Sequence, residues 1–163
     1  MPIETRKLRE ALGCFATGVT VITARSLDGE LLGITANSFN SVSLEPPLIL
    51  FSLDRRAYSL RKFEECGRFA VNVLDEAQQG ISTAFATPLA DKFAGVSYEF
   101  GRTGSPVLMD ALAVFDCSTR FRYDGGDHVI FVGEVLDLVV REDGKPLLYF
   151  RGKYRGLSDP AGS

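Results

Sequence analysis

Several segments of the chain alternate between apolar and polar residues with a period of two, a pattern that predicts β-strands. Asp28-Gly29 and Gly125-Gly126 separate pairs of such segments and predict hairpin turns. The uninterrupted apolar run Leu48–Leu53 predicts a strand that is covered on both faces. The predicted strands are Val19–Ala24, Leu31–Thr35, Leu48–Leu53, Phe69–Leu74, Ala113–Tyr123, Val129–Val140 and Leu147–Arg151.

Three segments carry apolar residues at helical spacing instead. The predicted helices are 5–12, Tyr58–Cys66 and Glu76–Phe85. In the first of them Leu8 and Leu12 share a face, and Gly13 ends the helix. Ala86–Pro106 contains glycine and proline and is predicted to be a long connection with short ordered pieces.

Many antiparallel strands at short spacing, with few helices, are typical of a closed or partly closed β-barrel. The chain lacks the strand–helix–strand alternation of a doubly wound nucleotide-binding fold. Because there is no internal repeat and no linker, we expect one domain over residues 1–163. In Ala113–Tyr123, period two predicts that Phe115, Cys117, Thr119, Phe121 and Tyr123 share one face.

The segment Gly33–Pro47 departs from this alternation. Within nine residues it holds six short polar side chains: Thr35, Asn37, Ser38, Asn40, Ser41 and Ser43. Such residues are ordinarily confined to the turns or the solvent face of a β region. The segment is either a simple Ser/Asn-rich loop or a row of short donors and acceptors that approaches a flat polar ligand.

Composition restricts the function. The net charge of −3, from 18 basic and 21 acidic residues, argues against nucleic acid as the main partner. No apolar run has the length that crosses a bilayer, and the charged N-terminus MPIETRKLRE lacks a signal-peptide core. Three widely spaced cysteines without a CxxC pair predict reduced core thiols in a cytoplasmic protein.

His128 is the single histidine of the chain, so a histidine-rich metal site is excluded and no metal is expected. Two local segments are basic despite the acidic total. Asp54–Arg68 holds five basic and three acidic residues, and Arg141–Arg155 holds five basic and two acidic residues. Solvated faces also produce such runs. The first run leads through Ser59 into a predicted helix, a combination that suits the phosphate of an anionic small ligand.

Six motifs follow one another in a recognisable order. They are GVTVIT (18–23), GITANSFNSVSLEPPL (33–48), FAVNVL (69–74), DKFAG (91–95), SPVL (105–108) and GDHVIFVGEV (126–135). In this order and spacing they resemble the flavin reductase-like family, the short reductase components of two-component flavin-dependent monooxygenases. The resemblance extends from about Leu8 to Tyr154.

The resemblance implies a mainly β fold: an antiparallel FMN-binding split β-barrel with Greek-key-like connections and a few short helices. It also implies a homodimer with flavin sites near the subunit interface. Members transfer a hydride from NADH or NADPH to FMN or FAD and release the reduced flavin to a separate oxygenase. Which flavin and which nicotinamide nucleotide this chain uses stays open.

The same resemblance assigns site residues. Thr35, Ala36, Asn37 and Ser38 correspond to the edge of the isoalloxazine ring, and Ser52, Leu53 and Asp54 continue that wall. Arg55 and Ser59 correspond to the phosphate end, and Lys92 and Phe93 to another flavin-lining pair. His128 corresponds to a residue beside the nicotinamide, and Tyr154 to an aromatic that closes over the pocket.

Several of these assignments have a simpler structural reading. The alternative reading of Ser59 is a helix N-cap, that of Lys92 is a surface charge, and that of His128 is a turn residue that packs locally. Hydride transfer between two rings needs positioning more than acid–base groups, which agrees with the absence of a catalytic-looking His/Asp/Ser cluster. Two rival functions are a split-barrel oxidase that keeps its flavin, like pyridoxamine-phosphate oxidase, and a non-catalytic flavin-binding protein.

Overall fold

The computed structural model describes residues 1–88 and 91–158. Over these residues the helices are α1 (Thr5–Leu12), α2 (Leu60–Cys66) and α3 (Gln79–Ala86), with a 3₁₀ turn at Glu76–Gln78. The strands are β1 (Thr17–Gly18), β2 (Thr20–Arg25), β3 (Leu31–Ala36), β4 (Asn40–Leu44), β5 (Pro47–Asp54), β6 (Arg68–Val73), β7 (Tyr98–Phe100), β8 (Pro106–Leu108), β9 (Ala113–Gly125), β10 (His128–Val140), β11 (Leu148–Phe150) and β12 (Lys153–Arg155). A mainly β, antiparallel fold with a few short helices is therefore confirmed.

Seven strands form the principal sheet, in the order β3-β2-β6-β9-β10-β5-β4. Six of these strands contribute side chains to one buried cluster: β2, β3, β5, β6, β9 and β10. The sheet therefore curves around this cluster. Its centre is aromatic: the Phe51 and Phe131 rings stack at 5.0 Å, and Phe69 meets Phe51 edge-on at 4.8 Å. The strands that carry the candidate site are thus anchored to a rigid core.

Strand β5 is covered completely on one face only. Ile49, Phe51 and Leu53 are buried, whereas Leu50 and Ser52 on the opposite face are half-buried. The prediction of full cover on both faces is wrong for this reason. The half-buried face of β5 is where the candidate site lies.

Two bulges interrupt the long β9–β10 hairpin. Phe121 pairs with Val132, and Thr119 with the next residue, Gly133, so Arg120 is an extra residue on β9. The extra residue reverses the alternation. Phe121 and Tyr123, which the sequence pattern placed on the face of Cys117, therefore lie on the opposite face and are 44% and 53% exposed.

The remaining sequence predictions differ from the structure in detail. Asp75 and Gln78 form a reciprocal capping box that begins a 3₁₀ turn, and this turn, Glu76–Gln78, replaces the first residues of the predicted helix Glu76–Phe85. Part of the Ser/Asn-rich segment is an edge strand, β4. The predicted connection Ala86–Pro106 contains the short strand β7, reaches β8 at its last residue, and includes two residues outside the described part.

Two cysteines lie in the core as predicted. Cys66 and Cys117 are buried, and burial raises the pKa of the Cys117 thiol above its ordinary value. Cys14 is exposed, just beyond the end of α1, so the prediction of three core thiols is wrong at this position. Helix α1 buries none of its residues, and the three residues 14–16 are also exposed.

Helix α3 packs on the outer side of β3 over a second apolar cluster. Gly33 permits this approach: a Cβ there would lie 2.3 Å from the Phe85 ring, which no side chain tolerates. Among the described residues, no helix combines the length and the apolar character needed to cross a bilayer.

Candidate functional site

A cleft of about 470 Å³ opens beside the C-terminal end of β3. Three stretches form its wall: the end of β3 with the residues that follow it, the end of β5, and the turn end of the β9–β10 hairpin. The lining residues are Ile34, Thr35, Ala36, Asn37, Ser38, Ser52, Leu53, Asp54, Gly125, His128 and Ile130. Eight of the predicted site residues are therefore brought together in one cavity.

The first wall, Thr35–Ser38, is held from behind by hydroxyl groups. Thr20 Oγ1 donates to the carbonyl of Ala36 at 2.6 Å, and Thr35 Oγ1 donates to the carbonyl of Ser82 on α3, also at 2.6 Å. Asn37, by contrast, is exposed. The wall is thus rigid at its base and presents an amide side chain and peptide groups at its rim.

Ser38 joins the first wall to the second. Its Oγ accepts a hydrogen bond from the backbone N–H of Ser52 at 2.9 Å and donates to the Ser52 carbonyl at 3.3 Å. Since Ser52 pairs with Ile130 on the other side of β5, this contact links the Thr35–Ser38 segment to the hairpin strand β10. The hydroxyl of Ser38 therefore shapes the cleft.

Asp54 and His128 face each other across β5 and β10, where they are register partners. The Arg56 guanidinium and backbone N–H bond the Asp54 carboxylate and hold its pKa well below the ordinary value. Asp54 is therefore ionised at neutral pH and only accepts hydrogen bonds. It is suited to bind hydroxyl groups of a ligand.

His128 contacts its neighbour Asp127, with 2.7 Å between Nδ1 and the carboxylate oxygen. An ionised carboxylate only accepts, so Nδ1 carries the proton. In the neutral ring this leaves Nε2 as an acceptor. With 41% of its side chain exposed, His128 is not locked into the protein interior.

Arg55 lies outside the cleft lining and holds the hairpin turn. Its backbone N–H donates to the Asp127 carbonyl at 2.9 Å, its Nε donates to the Gly126 carbonyl at 2.8 Å, and its Nη2 pairs with Asp124. The third nitrogen, Nη1, has no hydrogen-bond partner among the described residues. Arg55 therefore both positions the turn that carries His128 and keeps one donor nitrogen available.

Ser59 occupies the N-cap position of α2, but its side chain makes no capping hydrogen bond. The backbone there is already helical, with φ −84° and ψ −6°, and this geometry differs from that of an ordinary N-cap. The half-buried hydroxyl is thus not used by the helix. Ser59, like Arg55, lies outside the cleft lining.

Lys92, Phe93 and Tyr154 lie behind the first wall and do not line the cleft. The Lys92 ammonium group donates to the carbonyls of Gly33 and Phe85 at 3.1 and 2.9 Å, and burial lowers its pKa. The alternative reading of Lys92 as a free surface charge is therefore wrong. Phe93 packs edge-on against Phe85, at a centroid distance of 4.9 Å.

Tyr154 reaches the same region from the C-terminal strand β12. Its hydroxyl bonds Ser82 Oγ at 2.7 Å, and its ring packs against Tyr149. Lys92, Phe93 and Tyr154 thus support β3 and α3 from the side opposite to the cleft.

Ile34, Gly125 and Ile130 are lining residues that sequence reasoning missed. The local sequence predicts only a turn at Gly125 and only strands at Ile34 and Ile130, so it gives no sign that they line a site. The proximity of Gly125 and Ile130 to the end of β5 depends on the pairing of β10 with both β5 and β9, which no local pattern encodes.

The cleft suits a flat, polar ring. Its volume lies within the range of about 300–1,000 Å³ that is typical of small-molecule sites. One rim carries peptide groups and Asn37, while Ile34, Leu53 and Ile130 supply apolar surface. An isoalloxazine ring has an apolar face and a hydrogen-bonding edge, and the residues present fit such a group.

Comparison with known proteins agrees with this geometry. Residues 12–158 match the family model described as flavin reductase like domain. A probable flavin reductase of Rhizobium meliloti is 48% identical over 132 residues, which cover 81% of this chain but 42% of the relative. Against that protein the chain spans less than half of the relative's length.

Other relatives are matched along most of their length. The reductase subunit HsaB of a flavin-dependent monooxygenase from Rhodococcus jostii is 43% identical over 95% of this chain and 79% of the relative. The NADH:FAD oxidoreductase SgcE6 of Streptomyces globisporus, solved in complex with NAD and FAD fragments, superposes with a TM-score of 0.91 at 34% identity. That superposition covers 100% of this chain and 99% of SgcE6. By sequence and by structure, the chain belongs to the flavin reductase-like domain family.

Proposed function

We propose that this protein is an NAD(P)H-dependent flavin reductase that supplies reduced flavin to a separate monooxygenase. The observation that carries the proposal is the convergence of Thr35–Ser38, Ser52–Asp54 and His128 on one cleft. A bound flavin, FMN or FAD, supplies the ring that accepts a hydride from NADH or NADPH. The residues of the chain bind and orient the two partners.

The peptide groups of Ala36, Asn37 and Ser38 bind the polar edge of the flavin ring. Backbone N–H groups at this edge favour the negative charge of the reduced form, because they are fixed in place before the charge develops. Ser52 and Leu53 continue the wall. The Asp54 carboxyl, whose pKa Arg56 lowers, accepts hydrogen bonds from hydroxyl groups of the ligand.

Arg55 and Ser59 form the phosphate end of the site. Two features support this assignment: the unoccupied donor nitrogen of Arg55 and the hydroxyl of Ser59 that makes no cap. An arginine N–H and a hydroxyl are both good donors to a phosphate oxygen. For Lys92, Phe93 and Tyr154 we propose an indirect role, in which they hold the wall that contacts the flavin.

His128 orients the nicotinamide. With its proton on Nδ1 bound by Asp127, the ring offers Nε2 to the carboxamide N–H of NADH or NADPH. His128 need not transfer a proton, because hydride transfer requires mainly that the two rings stack in contact.

We further infer a homodimeric split β-barrel with the flavin site near the subunit interface, formed by one domain over residues 1–163. Phe121 and Tyr123 lie on the sheet face that carries Ile130 of the cleft, and both are substantially exposed. β10 pairs with β5 over His128–Glu134, and beyond that range Leu138 and Val140 are exposed. Apolar surface of this extent is typical of a protein interface.

A Leu138→Glu substitution tests the homodimer. Light scattering on a gel-filtration column is expected to give twice the chain mass for the wild-type protein and a smaller value for the variant. A wild-type protein that elutes as a monomer at micromolar concentration overturns the dimer.

We also propose a cytoplasmic location, which the unpaired thiols of Cys14, Cys66 and Cys117 support. The oxygenase partner is proposed from the relative HsaB, whose name identifies it as a reductase subunit of a flavin-dependent monooxygenase.

The activity is tested by following NADH and NADPH absorbance with purified protein, with and without added FMN or FAD. Turnover that depends on added flavin is the expected result. Turnover with a tightly bound flavin alone would identify an oxidase-like relative, and flavin binding without oxidation of either nucleotide would identify a binding protein. Either of these two outcomes contradicts the proposal.

A further inference from the structure

Ser82 of α3 is fully buried and hydrogen-bonds to two other parts of the protein, β3 and β12. Its backbone carbonyl accepts the hydrogen bond of Thr35, which lines the cleft. Its side-chain hydroxyl bonds the hydroxyl of Tyr154, which lies on the C-terminal strand β12. A continuous path of two short bonds, 2.6 and 2.7 Å, therefore runs from the cleft wall to Tyr154.

The surroundings of this path are rigid. Phe85, one turn further along α3, packs directly on Gly33 of β3. Lys92 then bridges the carbonyls of Gly33 and Phe85. Because α3 and β3 are joined in this way, a displacement of α3 moves the strand that ends in the cleft.

The far end of the path is also fixed. The Tyr154 ring packs against Tyr149 at a centroid distance of 5.5 Å, and these two residues pair between β11 and β12. β11 pairs in turn with β1. The hydroxyl of Tyr154 is thus held by a small sheet that is separate from the principal one.

We propose that Ser82 is a positioning residue of the flavin site and that Tyr154 acts on the flavin through it. Ser82 fixes the position and the rotamer of Thr35. Thr35 in turn fixes the positions of the peptide groups of Ala36–Ser38. This inference rests on the proposed function, since it assigns a role toward a flavin bound in the cleft. In this proposal Tyr154 does not touch the ligand. It influences the ligand through Ser82 on α3.

The consequence is an energetic coupling between Thr35 and Tyr154, because Ser82 hydrogen-bonds to both of them. Loss of one hydrogen bond of this kind weakens flavin binding by about two- to tenfold. Once either link is broken, breaking the other has little further effect. Direct contacts of Thr35 and Tyr154 with the flavin would instead give independent losses.

The experiment is a double-mutant cycle with Thr35→Val and Tyr154→Phe, read out as the dissociation constant for FMN from quenching of flavin fluorescence. We expect each single variant to bind FMN more weakly and the double variant to bind no more weakly than the poorer single variant. Ser82→Ala, which keeps the carbonyl and removes only the hydroxyl, should reproduce Tyr154→Phe. Thr35→Ser should restore binding because it retains the donor.

Tyr149→Phe and Thr83→Ala are matched controls. Tyr149 is the packing partner of Tyr154, and Thr83 is the exposed neighbour of Ser82, whose hydroxyl bonds only Gln79 within α3. Thermal melting confirms that each variant is folded.

Losses that multiply in the double variant, or unchanged FMN binding in both Tyr154→Phe and Ser82→Ala, would overturn the inference while the wild type still reduces flavin. A wild-type protein that binds no flavin would overturn the proposed function itself, and this inference with it.

Discussion

The hydroxyl of Ser38 bonds both polar backbone atoms of Ser52, accepting from its N–H at 2.9 Å and donating to its carbonyl at 3.3 Å. Ser38 follows β3 and Ser52 lies in β5, and these two strands are far apart in the order of the sheet. One side chain therefore joins the two walls of the candidate site. A serine in a Ser/Asn-rich segment acts here as a structural link.

Ser38→Ala is expected to lower both flavin affinity and stability. The variant leaves the Ser52 N–H without its partner, and an unsatisfied donor costs about 1–3 kcal/mol, with the low end expected because Ser52 is half-buried. Urea denaturation measures the stability, and flavin fluorescence measures the affinity. Ser41→Ala, at an exposed position of β4, is the control and should change neither quantity.

His128→Ala is expected to raise the KM for NADH or NADPH several-fold and to leave the flavin dissociation constant close to that of the wild type. The reason is that only the nicotinamide loses the Nε2 acceptor, while the flavin wall stays intact. Steady-state kinetics at saturating flavin provides the measurement. An unchanged nicotinamide KM would show that His128 is merely a turn residue.

Arg55→Met tests the phosphate end. FMN carries a phosphate and riboflavin does not, so the ratio of their affinities isolates the phosphate contact. If Nη1 binds the phosphate, the variant loses several-fold more affinity for FMN than for riboflavin. Equal losses for both ligands would mean that Arg55 acts only by holding the hairpin turn at Asp124 and Gly126.

Arg61→Met is the control for this substitution. Arg61 belongs to the same basic segment, but its side chain is 86% exposed and pairs with Glu65. Neither ligand should bind differently to this variant.

Asp75 is expected to make the stability depend on acid pH. The Ala77 backbone N–H and then the Arg141 guanidinium lower the pKa of its carboxyl, and the Arg141 contact is 2.6 Å. A lowered folded-state pKa contributes stability that is fully present above the unfolded value of about 3.9 and is lost as the pH falls through the folded value. Acid should therefore destabilise the protein below about pH 4.

Asp75→Asn measures this contribution, because it keeps the capping oxygen and removes the charge. The variant should be less stable than the wild type at pH 7, and the difference should shrink toward pH 3. Urea midpoints at both pH values provide the comparison. A difference that stays constant with pH would exclude titration of Asp75 as its cause.

The hydrophobic pattern predicted the strands well because each strand is a short apolar or alternating segment that the local sequence itself shows. Val19–Ala24, Phe69–Leu74 and Val129–Val140 were placed to within about one or two residues, the usual uncertainty of element ends. The errors arose where an added residue or a tighter helical turn changes the period. Arg120 turns Phe121 and Tyr123 to the other face, and the predicted helix Glu76–Phe85 begins with a 3₁₀ turn that Asp75 caps.

The sequence alone determined the fold class and the family, since both depend on local periodicity and on motifs in a fixed order. It also determined most of the cleft wall, because Thr35–Ser38 and Ser52–Asp54 are short contiguous segments. Only the tertiary structure decided which residues face the cleft and which support it. Tyr154 and Lys92 bond α3 and β3 from behind, and the Ser38–Ser52 link closes the wall. These contacts join residues that are far apart in the chain, and their geometry is set by strand pairing and helix packing, which no local pattern encodes.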